Sequence, residues 1–185
     1  AIFFDMDDTL LDPSGGLEEA WEASCREHAP ALGCDWDRIR QAIRREAIEF
    51  WRDEAAVEHW RVRLHEARER IIESALKAEG LDPSRARAIN ERYMEEVRQR
   101  WRLFDDALET LEWLRSNGYR LALLTNGPAD MQREKIARFD LEKHFDAIVI
   151  EGVFGHGKPH RKVFEHALSA TGSEPDQAWH IGDNL

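Results

Sequence analysis

The chain opens with Ala1-Ile2-Phe3-Phe4-Asp5-Met6-Asp7-Asp8-Thr9, in which four apolar residues run directly into an acidic cluster. The apolar run predicts a short buried strand. Side chains two positions apart share one face of a strand, so Asp5 and Asp7 are expected to point into one site and Met6 away from it. The alternative is that Asp5 to Asp8 cap a following helix, since Asp is favoured at helix starts.

Two carboxylates held this close repel each other, which makes them costly to keep without a use. One arrangement that stabilises them is a bound divalent cation, because such ions prefer oxygen ligands from carboxylates, backbone carbonyls and phosphates. Such a pair can also divide the chemistry, one carboxylate attacking as a nucleophile while the other moves protons. The pair Asp5 and Asp7 therefore predicts a metal site, a catalytic site or both.

Length and charge narrow the function further. The chain has 185 residues and a formal net charge of −11, which argues against nucleic acid as a partner because polyanion binding rests on a basic face. No run of about 18 apolar residues predicts a membrane span, and no signal-peptide pattern is present. Cys25 and Cys34 match no metal or redox spacing, so we expect free thiols in a cytoplasmic protein. The chain begins without Met and stops at Gly182-Asp183-Asn184-Leu185, so we expect both ends to be cut.

The middle of the chain has the period of helices. Apolar residues recur at helical spacing around Ile39 to Phe50, Trp60 to Ala78 and Ile89 to Trp101, and the stretch from Glu18 to His28 adds a further helix. Between Gly16 and Leu103 the sequence shows no convincing strand. Four amphipathic helices are enough for a small bundle.

From Asp105 onward, helices and strands alternate. The sequence predicts three strands at 119–124, 145–150 and 178–181, separated by helices at 108–114, 129–139 and 160–170. Alternation of this kind implies a parallel sheet with helices on its faces. The opening strand belongs to that sheet, so the helical bundle is an insertion after it.

Each predicted strand ends in residues that can do chemistry. The strand ends deliver Asp5 and Asp7, then Thr125-Asn126-Gly127, then Glu151 with a glycine-rich loop to Gly157-Lys158-Pro159, and finally Gly182-Asp183. Ligands of open parallel sheets bind beyond the carboxyl ends of the strands. The four segments are therefore expected to converge at one edge.

Each of the later segments also has a plainer interpretation. The Thr125 hydroxyl and the turn amides behind it suit a phosphate oxygen, but Thr-Asn-Gly is also an ordinary turn signal. Lys158 could offset negative charge on a phosphoryl group or on Asp5, whereas a lone Lys in such a loop is commonly a solvated surface residue. Asp183 could ligate a cation or cap a helix.

Taken together, these motifs resemble the haloacid dehalogenase superfamily from end to end. The four family motifs are matched in order by Phe4-Asp5-Met6-Asp7-Asp8-Thr9-Leu10, Leu124-Thr125-Asn126-Gly127, Gly157-Lys158-Pro159 and Ile181-Gly182-Asp183-Asn184. The stretch from Thr125 through Gln132-Arg133-Glu134-Lys135 to Phe145-Asp146 is similar to the phosphatase branch that contains N-acylneuraminate-9-phosphatase and nucleotide phosphatases.

The resemblance implies a role for each matched residue. Asp5 is implied to be the nucleophile that forms an aspartyl-phosphate, and Asp7 the acid and then the base. Asp5, the Asp7 carbonyl and Asp183 are implied to hold Mg²⁺. Thr125 and Asn126 are implied to bind the phosphoryl group, with Lys158 beside it. Asp8 stands where the family often has Gly, and the further acidic residue that the family usually carries past Asp183 would lie beyond the end of this sequence.

The resemblance also implies an architecture and a reaction. We expect an α/β fold, with a Rossmann-like parallel sheet core over residues 1–15 and 104–185 and an all-helical cap inserted over 16–103. The implied reaction is hydrolysis of a small phosphorylated metabolite by a Mg²⁺-dependent phosphatase. Alternatives are a phosphomutase, a 2-haloacid dehalogenase-type hydrolase and a catalytically silent binding protein on the same fold. Dehalogenases of this kind typically lack the second Asp of the first motif, which is present here as Asp7.

The sequence leaves the substrate open. The predicted cap carries arginines between 38 and 45 and between 61 and 70, and some of them could meet a second anionic group on a substrate. The plainer interpretation is that pairs such as Arg45 with Glu49, four residues apart on one helix, are solvated ion pairs. Most of the tryptophans in this region should be bundle core.

Overall fold

The structure, a computed structural model, describes residues 1–12, 15–53, 57 and 59–183. It divides into two compact units, one formed by Ala1–Pro13 with Trp101–Leu185 and the other by Ser14–Arg100. The principal elements are, in chain order, β1 (Ile2–Phe4), β2 (Leu11–Asp12), α1 (Leu17–Leu32), α2 (Trp36–Phe50), α3 (Leu64–Ala78), α4 (Ala86–Arg100), β3 (Arg102–Leu103), α5 (Ala107–Ser116), β4 (Leu121–Thr125), α6 (Ala129–Arg138), β5 (Ala147–Ile150), α7 (Glu151–Phe154), α8 (Arg161–Thr171) and β6 (Trp179–Ile181).

The unit that contains both chain ends is built on a four-stranded parallel sheet. Its strand order is β5-β4-β1-β6, and Ile2 of β1 lies between Leu121 of β4 and Trp179 of β6. The chain continues from β4 to β5 on one side of β1, whereas β6 lies on its other side. This reversal of strand order creates a crevice at the carboxyl end of β1, where ligands of such sheets bind.

The strands β1, β4 and β5 are mainly apolar because helices pack on both of their faces, whereas β6 at the edge of the sheet is partly exposed. On one face, Phe4 and Leu123 pack with Leu111 of α5 and Ile136 of α6. On the other face, alternate residues such as Leu124 pack against α8. Removing one such buried leucine to alanine would cost about 2–5 kcal/mol of stability. The predicted α/β fold with a parallel sheet is confirmed.

In the residues that the structure describes, the other unit is a bundle of four principal helices. α1 packs on α2 and α4, and α3 packs on the same two helices. Ile39, Ile72 and Ile89 meet in its core with no solvent exposure, and the rings of Trp21 and Tyr93 stack with their centroids 3.9 Å apart. The predicted amphipathic pattern therefore does form a helical bundle, although α3 starts after Trp60.

A short antiparallel ribbon was missing from the sequence interpretation. β2 pairs with β3, so that Leu11 lies opposite Leu103 and Asp12 opposite Arg102. Arg102 Nη2 also forms an ion pair of 2.6 Å with Asp12 Oδ2. Residues 101–103 consequently belong to the sheet unit, whereas the sequence interpretation assigned them to the helical insertion and found no strand there.

Two further expectations from the sequence have definite outcomes. Cys25 and Cys34 are free thiols, as predicted. The expected pair between Arg45 and Glu49 is wrong, because Arg45 Nη2 instead reaches Glu79 Oε1 at 2.5 Å on the following helical segment, while Glu49 pairs with Arg52. Among the described residues, no helix combines the length and the apolar character that crossing a membrane requires.

Candidate active site

The residues singled out in the sequence surround one cavity at the carboxyl edge of the sheet. Its volume is about 590 Å³. Its lining comprises acidic, basic, polar and apolar side chains: Asp5, Asp7, Asp8, Thr125, Asn126, Lys158, Pro159, Phe164, His180 and Asp183. The strands and loops thus bring together all six of the predicted site residues, which are separated by up to 178 positions in the sequence (183 − 5).

Asp5 lies directly after β1, and each of its two carboxylate oxygens is held by a contact. Its Oδ1 accepts a hydrogen bond of 2.7 Å from the Met6 amide, and its Oδ2 lies 2.6 Å from Lys158 Nζ. The Lys158 side chain is only 13% exposed, so the interpretation of Lys158 as a solvated surface residue is wrong. A charge-assisted contact of this length holds the carboxylate in one orientation.

The segment after Asp5 turns back sharply and does not start a helix. The amides of Leu10 and Leu11 both donate to the Met6 carbonyl, and α1 begins only at Leu17, with Gly16 at its N-cap. Asp8 adopts a left-handed conformation with φ of 60°, which Asp tolerates better than most residues. The helix-capping interpretation of Asp5 to Asp8 is therefore wrong, and the buried Met6 does point away from the site into the core.

The carboxylates at this edge are close enough to perturb one another. Desolvation raises the pKa of Asp8, and the negative charges of Asp183, Asp7 and Asp5 raise it further. Like charges disfavour ionisation of a neighbouring carboxyl group. The cavity floor is therefore a place of concentrated negative potential that favours a cation.

Asp7 is held by two side chains that the sequence interpretation did not assign to the site. Lys135 Nζ lies 2.7 Å from Asp7 Oδ1, and Gln132 Nε2 donates to Asp7 Oδ2 over 2.9 Å. Both come from α6, the helix that follows Thr125-Asn126-Gly127. The Asp7 side chain is nevertheless 40% exposed, so part of the carboxylate stays open to the cavity.

Asn126 organises the loop that carries Lys158. Its Nδ2 donates to the Lys158 carbonyl over 2.9 Å, and its Oδ1 accepts from the Lys158 amide over 2.7 Å. Thr125, at the end of β4, is 2% exposed. The side chain of Asn126 is thus engaged by the protein backbone, and its implied contact with a phosphoryl group would have to come from its backbone.

Glu151 contacts two of the motif loops, at Gly127 and at Gly157. It is 5% exposed and its Oε2 accepts a hydrogen bond of 3.0 Å from the Gly127 amide. A Cβ atom at Gly157 would fall within 2.5 Å of Glu151 Oε1, so a larger residue there requires the Glu151 carboxyl group to shift. The sequence showed Glu151 as a strand end but gave no sign of this bracing contact.

His180 and Phe164 form an aromatic wall of the cavity that was also missed. Their rings meet edge to face with centroids 5.5 Å apart. Desolvation lowers the pKa of His180, and the nearby ammonium group of Lys158 lowers it further. A neutral imidazole beside an aliphatic and aromatic surface suits an uncharged part of a ligand better than a phosphate.

The donor set at this edge fits a hard divalent cation. Asp5 and Asp183 supply carboxylate oxygens, and the Asp7 backbone supplies a carbonyl oxygen, which are the ligand types that Mg²⁺ and Ca²⁺ prefer. Among the described residues, no three side chains of His, Cys, Asp or Glu are grouped closely enough to hold an ion by themselves. A cation here would therefore depend on a backbone carbonyl, on water or on a ligand for the rest of its coordination.

Fold and site together define a doubly wound α/β protein with an acidic, lysine-containing site at its strand ends. A family model described as haloacid dehalogenase-like hydrolase matches residues 1–185. The chain belongs to this family, as the sequence motifs predicted.

Named relatives agree with this assignment. A phosphoserine phosphatase from Thermus thermophilus is 43% identical over 117 residues, which are 63% of this chain and 47% of that enzyme. An N-acylneuraminate-9-phosphatase from Mus musculus is 30% identical over 205 residues, covering 100% of this chain and 74% of the enzyme. The chain thus aligns with about half of the Thermus enzyme and about three-quarters of the mouse enzyme.

A solved structure agrees as well. The crystal structure of a HAD phosphatase from Thermococcus onnurineus superposes with a TM-score of 0.67 at 26% identity, covering 100% of this chain and 77% of that one. The predicted resemblance to the phosphatase branch is confirmed, and so is the prediction of an enzyme of this hydrolase family.

Proposed function

We propose that the protein is a Mg²⁺-dependent phosphatase that hydrolyses a small phosphomonoester through an aspartyl-phosphate on Asp5. The observation that carries the proposal is the ion pair of 2.6 Å between Asp5 Oδ2 and Lys158 Nζ at the carboxyl end of β1. A held carboxylate beside an ammonium group in one cavity supports the proposed role of Asp5 as the nucleophile. Relatives named as phosphatases support the reaction class.

The proposed reaction has two steps. A carboxylate oxygen of Asp5 attacks phosphorus as the bond from phosphorus to the ester oxygen breaks, and the leaving oxygen takes a proton from Asp7. Water then loses a proton to Asp7 and attacks the same phosphorus as the bond from phosphorus to the Asp5 oxygen breaks. This releases inorganic phosphate and restores both carboxyl groups to their starting states. The proposal is supported by Asp7 lining the same cavity as Asp5.

Positive charge is needed because a phosphomonoester carries up to two negative charges. Mg²⁺ held by Asp5, the Asp7 carbonyl and Asp183 would supply charge that offsets the repulsion between carboxylate and ester. Lys158 supplies a further positive charge at Asp5 Oδ2. Thr125 and the backbone amides of the turn behind it are proposed to hold the phosphoryl oxygens.

The proposed substrate is a small phosphorylated metabolite. A cavity of about 590 Å³ lies in the range of small-molecule sites, and the wall formed by Phe164 and His180 offers an apolar surface beside the charged floor. We propose a cytoplasmic enzyme, which free Cys25 and Cys34 support. We also propose that the helical bundle over Ser14–Arg100 serves as the cap domain.

A phosphomutase keeps the same two aspartates, so the distinction is kinetic. Asp7 argues against dehalogenation, because halide leaves without needing a proton donor. A catalytically silent binding protein is disfavoured by the joint presence of Asp5, Asp7 and Lys158 around one cavity.

The test is the Asp5→Asn variant, assayed with p-nitrophenyl phosphate and with a panel of phosphorylated metabolites. We expect at least about a 10³-fold loss of turnover, with the melting temperature preserved within a few degrees. Asp130→Asn, an exposed aspartate at the start of α6, serves as the matched control. Near-normal turnover in a preparation shown by mass spectrometry to be free of deamidation would rule out Asp5 as the nucleophile.

A further inference from the structure

Two side chains on one face of α6 contact the two carboxylate oxygens of Asp7. Gln132 and Lys135 are three positions apart and therefore lie on the same side of the helix. Lys135 Nζ lies 2.7 Å from Oδ1 of Asp7, and Gln132 Nε2 lies 2.9 Å from Oδ2. We call these two residues the α6 clamp.

The α6 clamp is buried, unlike most lysine and glutamine side chains on a helix. The Lys135 side chain is 8% exposed and Gln132 is 1% exposed. In the part of the chain that the structure describes, Asp7 is the only carboxylate within ion-pair distance of Lys135. The ammonium also lies 5.6 Å from the ring centre of Trp101, in the range of a cation–π contact. A buried lysine is costly unless it is paired, so this burial indicates a specific use of the contact with Asp7.

Gln132 also connects Asp7 to Thr125, the residue proposed to bind the phosphoryl group. Its Nε2 lies 2.5 Å from Thr125 Oγ1 and 2.8 Å from the Asn126 carbonyl oxygen, in addition to its contact with Asp7. An amide nitrogen carries only two hydrogens, so it can donate to two of these three acceptors at a time. When Gln132 donates to Asp7, it therefore has one hydrogen left for Thr125 or for the Asn126 carbonyl.

The clamp leaves Asp7 able to exchange a proton. Each carboxylate oxygen has two lone-pair directions, and each clamp residue uses one of them. One direction on each oxygen stays unused by the clamp, and the Asp7 side chain is 40% exposed and lines the cavity. The clamp thus fixes the carboxylate without blocking the side on which a leaving oxygen would sit.

We propose that Gln132 and Lys135 are positioning residues that aim Asp7 at the leaving oxygen of the substrate. This inference rests on the proposed function, because it assigns to the clamp the orientation of the acid and base of that reaction. A general acid must lie within hydrogen-bond reach of the oxygen that it protonates. Misplacement by about 1 Å can cost roughly 10²-fold in rate.

The competing explanation is that the clamp only ties α6 to the sheet unit. A purely structural tie would lower stability when broken and would slow every substrate to a similar degree. If Asp7 is misoriented, esters with poor leaving groups are instead slowed more than esters with good ones. Only a poor leaving group needs a proton from Asp7 during bond cleavage. The dependence on the leaving group separates the two explanations.

The experiment compares Lys135→Met, Lys135→Gln and Gln132→Met with wild type on p-nitrophenyl phosphate and on a simple alkyl phosphate. We expect kcat for the alkyl ester to fall at least about tenfold, up to the roughly 10²- to 10⁴-fold expected for Asp7→Asn. The loss of kcat for the nitrophenyl ester should be several-fold smaller, and KM should change less than twofold. Arg133→Met removes an exposed cation from the same helix and should leave both esters unaffected.

A double-mutant cycle provides an independent readout. If the clamp acts through Asp7, adding Lys135→Met to Asp7→Asn should slow the alkyl ester less than about twofold further. Equal losses on both esters, or fully multiplicative losses in the double variant, would overturn the proposal. Three clamp variants are included so that a folding failure of one, detected by circular dichroism, leaves the others to decide.

Crystal structures of the folded clamp variants separate this inference from the proposed function. If wild type hydrolyses no phosphoester, the proposed function fails, and the orientation of Asp7 in the variants then decides the inference. An Asp7 carboxylate that turns away from its wild-type position supports the clamp, and one that stays in place refutes it. If wild type is active, the kinetic and structural readouts must agree.

Discussion

The side-chain amide of Asn126 forms two hydrogen bonds with the backbone of Lys158, one to its carbonyl oxygen and one from its amide. A residue in a β-sheet can form the same pair of bonds with its neighbour, but here a side-chain amide takes the place of one of the two backbones. It joins the turn after β4 to the loop after α7, and it fixes the point from which the Lys158 side chain reaches Asp5.

Asn126→Ala should therefore disturb Lys158 as well as the turn. Each lost hydrogen bond costs about 0.5–1.5 kcal/mol, so we expect the free energy of unfolding to fall by about 1–3 kcal/mol. Turnover of p-nitrophenyl phosphate should fall by at least about tenfold, since the backbone from which the Lys158 side chain reaches Asp5 is no longer held in place. Urea unfolding and steady-state kinetics measure the two effects. Asn117→Ala, which removes an exposed amide bonded to the Trp113 carbonyl, is the control and should leave turnover unchanged.

Gly157→Ala tests the bracing role of Glu151. The added methyl group would collide with the Glu151 carboxyl group, and we expect the resulting shift to weaken the hydrogen bond from the Gly127 amide. Overpacking of this kind typically costs about 1–3 kcal/mol, and we expect reduced turnover because both motif loops shift. Gly80→Ala is a useful comparison, since its Cβ meets nothing within 4 Å and only its left-handed backbone is strained. A cost for Gly157→Ala no greater than that for Gly80→Ala would show that Glu151 can move without consequence.

Asp183→Asn should weaken Mg²⁺ binding more than it weakens the fold. The substitution removes one of two carboxylates proposed to face the ion, and we expect the Mg²⁺ concentration for half-maximal turnover to rise by at least about tenfold, since losing even an indirect partner of a metal site typically costs 10- to 100-fold. Titration of Mg²⁺ into EDTA-treated enzyme measures this directly. Asp176→Asn, on the turn at Pro175–Gln177 that precedes β6, controls for a general loss of negative charge. Identical Mg²⁺ curves for wild type and Asp183→Asn would remove Asp183 from the proposed ligand set.

The two thiols should differ sharply in reactivity. Burial raises the pKa of Cys25 to about 12, whereas Cys34 is partly exposed. Thiol reagents attack the thiolate, so one thiol per chain should react in native buffer and both in denaturant. Mass spectrometry after mild alkylation identifies which one reacts.

The Cys25 thiol also makes the free energy of unfolding depend on pH in the alkaline range. Because Cys25 keeps its proton in the folded state up to about pH 12, and its ordinary pKa is 9.0, unfolding releases that proton between these values. The contribution to stability is thus complete below pH 9 and is lost as the pH rises toward 12. Cys25→Ala should abolish this part of the alkaline slope in urea unfolding measured between pH 8 and pH 10.5, and an unchanged slope would contradict the assignment.

The sheet and its site were largely predictable because the signals are local. Runs such as Leu121 to Leu124 are apolar on both faces, and each strand ends next to the polar residue that it delivers. The strand bounds differ by up to two residues, since a strand predicted from Tyr119 begins at Leu121. Fixed motif order then placed Asp5, Lys158 and Asp183 at one edge.

What the sequence concealed depends on distant or very short pairings. The ribbon of β2 and β3 has two residues per strand, too few to show any period. Gln132 and Lys135 lie 125 and 128 positions from Asp7, and no local pattern reports a contact over that distance. One clue was available, because both interrupt the face of α6 on which Met131 and Ile136 are buried.

The two ends of the helical insertion meet at one place, which bears on how the chain folds. The Gly16 Cα lies so close to Arg100 that a Cβ there would touch its Cδ and Nε at 3.1 Å, and both residues belong to the bundle unit. Ile2 must find Leu121 to begin the sheet, and closing a long flexible loop costs entropy that grows with its length. Helices that pack on sequence neighbours form early. Once the bundle has formed, its two ends lie close together, so Ser14–Arg100 acts as a short connection. The effective loop that must close when β1 pairs with β4 is then much shorter than the sequence separation of the two strands.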